Sequence, residues 1–125
     1  MELKDLEIYK ICLEISRCAW LIYKKLPWRE KKIVGDQWIK AIDSIGANIA
    51  EGFGRFHYLD KNKFNYNARG SLLESIHWTQ LLKERRIITE KEGDEFLQKL
   101  ESLLPRLNAY IGITRNKNKN EITNY

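Results

Sequence analysis

The histidines and cysteines are the first candidates for a metal site or a disulfide. His57 and His77 each lack another histidine or cysteine at the spacing of a metal-ligand pair, so we expect them to be structural or solvated. Cys12 and Cys18 are six residues apart. On a helix, this spacing separates them by about 120° around the axis and about 9 Å along it. We therefore predict two free thiols that neither bond to each other nor share a metal.

Motifs of the common enzyme classes are missing from the sequence. It contains no P-loop, no G-x-S-x-G, no H-E-x-x-H and no G-x-G-x-x-G. Gly52-Phe53-Gly54 closes a predicted helix, whereas a phosphate-binding glycine loop opens one. We predict that the protein is not an enzyme and that it has no catalytic residues, no metal and no cofactor.

A polar stripe occupies residues 44–55. Ser44, Asn48, Glu51 and Arg55 follow one another at intervals of four, three and four residues, which places them on one face of a helix. Asn48 stands where the apolar pattern calls for a hydrophobic residue, and a buried asparagine indicates a hydrogen-bond network or a register device. Glu51 and Arg55 have the favourable orientation for an i,i+4 ion pair. Two interpretations remain: a structural network between helices, or contacts with a ligand or partner.

Positive charge concentrates around the first predicted turn of a chain whose net charge is +5. Five basic residues of segment 24–32 oppose the single acidic Glu30, and they are Lys24, Lys25, Arg29, Lys31 and Lys32. Arg85 and Arg86 belong to a later turn that should lie at the same end of a bundle. Trp28 lies within the cluster, where its ring would stack on a base or pack over the bundle end. These eight residues are the candidate nucleic-acid contacts.

Hydrophobic periodicity predicts four helices that would position these residues. Pro27 ends the first helix, because a proline pushes the preceding residue out of the α region. Gly52 and Gly54 stop the second, and Thr89 with Glu92 forms a capping box that opens the fourth. The predicted segments cover residues 6–26, 30–53, 60–85 and 89–115.

Apolar residues at spacings of three and four predict the inner face of each helix. In the first helix, the stripe consists of Leu6, Tyr9, Leu13, Ser16, Trp20 and Tyr23. In the second, it consists of Val34, Trp38, Ala41, Ile45, Asn48 and Gly52. The third should begin at Asp60 as N-cap, with an inner face of Phe64, Ala68, Ser71, Trp78 and Leu81/Leu82. In the fourth, the stripe is Phe96, Leu100, Leu103, Leu107 and Tyr110/Ile111, and Pro105 should kink the helix or end one half of it.

Short connections favour antiparallel neighbours, so we predict an all-α, antiparallel, up-down-up-down four-helix bundle over residues 1–115. Residues 116–125 are rich in Asn and Lys and are expected to form a flexible, basic, polar tail. The N-terminus does not resemble a signal peptide, and no apolar run is long enough to span a bilayer. We therefore expect a cytoplasmic protein without a membrane partner.

Two stretches of the second and third predicted helices resemble a known family. They read Ser44-Ile45-x-x-Asn48-Ile49-Ala50-Glu51-Gly52-x-Gly54-Arg55 and, after Phe64, Ala68-x-Gly70-Ser71-x-x-Glu74. This pattern is similar to the bacterial four helix bundle protein family, which includes ribosomal RNA intervening-sequence proteins and accessory variability proteins of diversity-generating retroelements. The resemblance implies a homopentameric ring with a basic surface and association with nucleic acid. In the retroelement branch it implies binding to a reverse transcriptase.

These observations predict an oligomeric scaffold that associates through a basic surface with nucleic acid, either RNA or an RNA–protein complex. Ser71 and Glu74 join Ser44, Asn48, Glu51 and Arg55 as the candidate structural polar network. The alternative is an adaptor for a protein partner, such as a reverse transcriptase, with no direct nucleic-acid role. Binding that falls steeply with salt would favour the first prediction over the second.

Overall fold

The computed structural model describes residues 1–123 of the chain, with side chains described through residue 120. The four long helices are α1 (Glu7–Tyr23), α2 (Asp36–Phe53), α3 (Tyr58–Glu84) and α4 (Glu90–Thr123). A 3-10 turn, Leu3–Asp5, precedes α1, and a helical turn, Trp28–Glu30, with a π-helical segment, Lys31–Gly35, leads into α2. Consecutive long helices pack against each other, and α1 also contacts α4. The predicted all-α four-helix bundle is confirmed.

The breaks between helices follow the predicted chemistry, with one correction. Thr89 and Glu92 form the capping box: Thr89 N–H donates to Glu92 Oε1 and Glu92 N–H to Thr89 Oγ1, both at 3.0 Å. The prediction that Asp60 caps α3 is wrong, because the helix begins at Tyr58 and His57 is its N-cap. Asp60 instead lies in the first turn, where a carboxylate favours the positive end of the helix dipole.

The inner faces of α2 and α4 lie largely where the sequence predicts them. Within α2 and the segment before it, the predicted residues Val34, Trp38, Ala41, Ile45 and Gly52 are buried, together with Ile42 and Ile49. Asn48 is only half-buried. Most residues predicted for α4 are buried, namely Phe96, Leu100, Leu103, Leu107 and Ile111, whereas Tyr110 is half-buried.

The predicted inner face of α1 is wrong. The helix buries the neighbouring stripe, which consists of Ile8, Cys12, Ile15 and Ala19. The predicted stripe leaves Leu13 41% exposed and Trp20 54% exposed. The physical reason is close packing against α2, where a Cβ placed on Gly46 would lie 3.2 Å from Cys12 Cβ. The small side chain of Cys12 fits this narrow gap, and the bulkier Leu13 of the predicted stripe stays beside it.

The inner face of α3 is more polar than predicted. Ala68 and Leu82 are buried as predicted, whereas Phe64, Ser71 and Trp78 are only half-buried. The remaining buried residues of this helix are Asn62, Asn65, Leu72, Ser75 and Thr79. A stripe that alternates small, polar and apolar side chains gives a weak periodic signal, which is why the sequence pattern missed it.

The fourth helix is longer than the sequence predicts. Pro105 does not end it, and both Pro105 and Glu101, whose carbonyl loses its donor, are exposed to water. Helix α4 continues to Thr123, so residues 116–123 are helical where we expected a flexible tail; residues 124–125 lie outside the described part. Among the described helices, none combines the length and apolar character required to cross a bilayer.

Candidate nucleic-acid interface

The turn before α2 and the turn before α4 lie at the same end of the bundle, as predicted. Lys25 Nζ lies 3.5 Å from Glu92 Oε2, which joins the start of the first turn to the first turn of α4. Candidate residues from segment 24–32 and from positions 85–86 therefore belong to one surface. We call this surface, with the eight candidate residues named above, the basic end.

A π-helical segment positions two lysines of the basic end. Lys31 Nζ lies 5.0 Å from the ring centroid of Tyr23, and Lys32 Nζ lies 5.0 Å from that of Trp28. The Tyr23 hydroxyl donates a hydrogen bond to the Asp36 carboxylate, which raises the pKa of Tyr23. Cation–π contacts of this kind hold the ammonium groups over aromatic faces and leave their charge open to solvent.

Most side chains of the basic end are accessible. Trp28 is 74% exposed, so its ring does not pack over the bundle end. The exposed cationic residues are Lys24, Lys25, Arg29, Lys32, Arg85 and Arg86, and Lys31 is half-buried. Trp28 thus presents an exposed ring with the Lys32 ammonium beside it, at an end of the bundle that carries further exposed cations. An aromatic ring combined with cations is suited to phosphates and stacked bases.

Arg86 occupies a backbone conformation that favours glycine. Its φ is 57°, which lies in the left-handed region that residues other than glycine rarely adopt. The N–H groups of Ile87 and Ile88 donate back to Leu82 O at 2.9 and 3.4 Å, closing the end of α3. A side chain in this left-handed region costs roughly 1–2 kcal/mol. The fold thus holds an exposed arginine at a position where glycine would be less strained.

The predicted polar stripe of α2 forms local contacts and no buried network. Ser44 Oγ donates to Lys40 O at 2.7 Å, and Asn48 Nδ2 donates to Ser44 O at 2.9 Å. Glu51 and Arg55 form the predicted i,i+4 ion pair at 2.7 Å, and both are exposed. These polar groups find hydrogen-bond partners about one turn away in the chain. The contact with α3 is a surface one, in which the guanidinium carbon of Arg55 lies 4.7 Å from the ring centroid of Phe64.

The two candidate network residues of α3 also lie apart from the α2 stripe. Ser71 is half-buried, and its carbonyl accepts a 2.7 Å hydrogen bond from Ser75 Oγ. Glu74 is exposed and accepts from Trp78 Nε1 at 3.1 Å. The prediction of one network between helices that joins these six residues is therefore corrected.

The buried polar contacts between helices involve residues that the sequence did not single out. Trp38 Nε1 donates to Thr79 Oγ1 at 2.9 Å, which joins α2 to α3. Asn62 Nδ2 donates to Ile111 O at 3.1 Å, which joins α3 to α4, and Asn65 Nδ2 donates to Asn62 Oδ1 at 3.0 Å. The signal available in the sequence was the spacing of Asn62, Asn65, Ser75 and Thr79, which keeps all four on one face of α3.

The cysteines and histidines do not assemble into a site. Cys12 and Cys18 are free thiols, as predicted, and burial raises the pKa of Cys12 to about 12, so it stays protonated at neutral pH. His57 and His77 are exposed. Within the described chain, no three His, Cys, Asp or Glu side chains converge in a way that could hold a metal ion.

The outward face of α1 carries an apolar surface. Leu13 and Ser16 face the small residues Gly46, Ala47 and Ala50 of α2 across a hollow of about 280 Å³. An adjoining hollow of about 410 Å³ is lined by residues of α1 that include Trp20 and Leu21. Leu13, Trp20 and Leu21 are each more than 40% exposed in the single chain. We call this surface the α1 face.

Comparison with known proteins identifies the family. No protein with a curated description matches the chain. A crystal structure of a protein of unknown function from the S23 ribosomal protein family of Bacteroides thetaiotaomicron has the same fold, with a TM-score of 0.77 and 24% sequence identity over 83% of this chain and 97% of that one. The sequence matches the family described as 23S rRNA-intervening sequence protein over residues 4–109. This protein therefore belongs to the 23S rRNA-intervening sequence protein family.

Proposed function

We propose that the protein is a non-enzymatic, homo-oligomeric scaffold that associates with RNA or an RNA–protein complex through its basic end. The observation that carries this proposal is the exposed Trp28 ring with Lys32 beside it, at the end of the bundle where exposed lysines and arginines are concentrated. Membership of a family described by an insert in 23S rRNA is consistent with RNA as the nucleic acid. Arg86, held in a strained backbone conformation and exposed, adds a further cation to the same surface.

Binding at the basic end would depend mainly on phosphate contacts. Each lysine or arginine that neutralises a phosphate releases counterions, and the gain in free energy does not depend on base sequence. Trp28 would add stacking on an unpaired base. We therefore expect modest affinity for each chain, strong salt dependence and little sequence preference.

Assembly would strengthen such binding. The α1 face leaves Leu13, Trp20 and Leu21 exposed beside a stripe of small residues on α2, and a second copy of the chain would remove this apolar surface from water. Small residues allow helices of two copies to approach closely. The family resemblance implies a pentamer. A ring would repeat the basic end in each subunit and raise the overall affinity by avidity.

Charge reversal at the basic end tests the proposal. A variant with Lys24, Lys25, Lys31 and Lys32 changed to Glu should bind a labelled RNA much more weakly and with a flatter dependence on salt. Its matched control changes four exposed lysines elsewhere to Glu: Lys4, Lys10, Lys40 and Lys99. Both variants have the same net charge, so a difference between them reports the location of binding. Equal loss in both, or no loss in the first, contradicts the proposal.

One feature favours the adaptor alternative. A groove of about 500 Å³ runs between α1 and α4, with Ile11, Ile15 and Leu103 among its apolar residues. Its charged residues are two acidic and two basic side chains: Glu14, Glu95, Lys99 and Arg106. A partner helix with an apolar stripe and flanks that carry both charges, for example from a reverse transcriptase, would fit such a groove. If the wild-type protein fails to bind RNA even at low salt, this adaptor function replaces the scaffold function.

A further inference from the structure

The end of the bundle opposite the basic end also gathers cations, and they come from three helices. The contributing side chains are Arg55 at the end of α2, Lys61 and Lys63 on α3, and Arg115 and Lys117 on α4. Arg115 and Lys117 reach this surface because α4 continues as a helix past residue 115. Two carboxylates at this end are paired: Glu51 with Arg55 at 2.7 Å, and Glu2 of the N-terminal turn with Lys4 at 3.2 Å. Asp60, in the first turn of α3, is exposed.

Lys61 folds back over the turn between α2 and α3. Its Nζ donates to Phe53 O at 2.9 Å and lies 5.6 Å from the Phe53 ring. Partial burial and then the positive charge of Lys117 lower the pKa of Lys61. Lys63, Arg115 and Lys117 are exposed, so an anion that reaches this end of the bundle meets accessible positive charge.

Aromatic side chains stand beside these cations. Phe56, in the turn between α2 and α3, is 87% exposed and contacts only the edge of His57 among the described rings. Tyr66 is 51% exposed, and its hydroxyl accepts a hydrogen bond from Arg115 Nη2 at 3.4 Å. An exposed phenylalanine ring is unfavourable in water, and it is suited to stack on a flat partner that the flanking cations attract.

We propose that this end of the bundle is a separate binding site for single-stranded nucleic acid, with backbone phosphates contacted by Lys61 and Lys117 and a base stacked on Phe56. A single strand fits better than a duplex, because paired bases do not offer a free face to a protruding ring.

The site does not depend on the function proposed for the basic end. It uses different residues, at the other end of the helices, and commits to unpaired bases. A strand could contact both ends of one bundle or link neighbouring subunits. If the variants at one end do not affect binding, the proposal for the other end is still tested by its own variants.

Fluorescence anisotropy with labelled oligouridylate of about 12 nucleotides, a length within the range of known single-strand sites, tests the proposal. Phe56→Ala should weaken binding roughly tenfold or more without changing the salt slope, because it removes a stack and no charge. The pair Lys61→Gln and Lys117→Gln should weaken binding and reduce the salt slope by about 0.7 for each phosphate that is no longer neutralised. Lys40→Gln, an exposed lysine on the side of α2, is the control.

A duplex RNA of equal length separates stacking from general attraction. Phe56→Ala should leave the affinity for the duplex unchanged. It should weaken oligouridylate binding by the same factor in the variant whose four lysines at the basic end are changed to Glu. If the Lys61 and Lys117 variant fails to fold, judged by circular dichroism, Phe56→Ala alone decides, since its ring lies on the surface. Unchanged binding of oligouridylate by Phe56→Ala overturns the proposal. Phe56-dependent binding to phosphatidylserine vesicles in place of oligouridylate overturns it as well and identifies a membrane site.

Discussion

Trp38 and Thr79 form a hydrogen bond of 2.9 Å between α2 and α3, and both side chains are completely buried. The Thr79 hydroxyl accepts from the indole N–H of Trp38 and donates its own hydrogen to Ser75 O at 2.7 Å. The Trp38 ring also packs against Phe96 of α4, with centroids 5.2 Å apart. One polar contact thus sets the orientation of the largest side chain in the core.

The first prediction follows from this contact. Thr79→Val keeps the shape of the side chain but strands the buried indole N–H, and should lower the free energy of unfolding by about 1–3 kcal/mol. Thr79→Ser retains the hydroxyl and should cost less. Urea denaturation with an unchanged m-value would measure both changes. If Thr79→Val were as stable as the wild type, the hydrogen bond would contribute nothing to the fold.

Gly52 and Gly70 provide a matched pair of glycine substitutions. A Cβ on Gly52 would lie 2.9 Å from Lys61 O and 3.1 Å from Phe64 Cβ, whereas a Cβ on Gly70 would meet nothing within 4 Å. Gly52→Ala should destabilise the protein by about 1–3 kcal/mol, because a carbonyl of a packed helix cannot move aside. Gly70→Ala should stabilise it by up to about 1 kcal/mol through helix propensity. Thermal unfolding would show shifts of opposite sign, and equal shifts would refute the packing argument.

Asn62 and Asn48 should respond differently to truncation. Asn62→Ala removes the donor to Ile111 O and the acceptor for Asn65, and both of these hydrogen bonds are buried. We expect the free energy of unfolding to fall by about 2–3 kcal/mol. Asn48→Ala removes a bond to Ser44 O within α2 at a half-buried site, and should cost less than about 1 kcal/mol. If Asn48→Ala lowered the denaturation midpoint more than Asn62→Ala, Asn48 would belong to a structural network.

Glu92 should make stability depend on pH in the acid range. The backbone hydrogen bond from Thr89 lowers the pKa of Glu92, and the charge of Lys25 lowers it further. A carboxyl whose folded pKa lies below its unfolded value, about 4.3, stabilises the fold above that pH and loses the effect as pH falls through the folded pKa. As pH falls from about 5 to 3, the free energy of unfolding should therefore decrease less for Glu92→Gln than for the wild type, as measured by denaturation. Glu84→Gln, an exposed carboxylate at the end of α3, controls for net charge.

The α1 face should be required for assembly. Leu13→Glu and Trp20→Glu place charges on this apolar surface and should reduce the mass in solution without unfolding the chain, since both residues are exposed in the single bundle. Leu73→Glu is the control, because Leu73 on α3 is 43% exposed and Leu13 is 41% exposed. Multi-angle light scattering would measure the mass. A monomeric wild type at micromolar concentration would remove the assembly proposal.

The helices, most of the breaks between them and the family resemblance could be predicted from the sequence alone. Pro27, the glycines at the end of α2, and Thr89 with Glu92 act locally, through backbone geometry and hydrogen bonds to near neighbours, so the chain carries this information without its fold. The apolar stripe of α4 was equally readable, because its opposite face is polar and only one orientation buries the apolar side chains.

The buried face of α1 and the positions of the buried polar groups depend on how the helices pack. Apolar residues surround α1, so two stripes satisfy the same spacing, and α2 approaches closely enough at Gly46 to favour the stripe that contains the small Cys12 over the one that contains Leu13. On α3, Asn62 and Thr79 are buried because Ile111 O and Trp38 Nε1 satisfy them. These partners lie 49 and 41 residues away in the chain. No local pattern encodes such distant partners, and the packing of the helices alone brings them into contact.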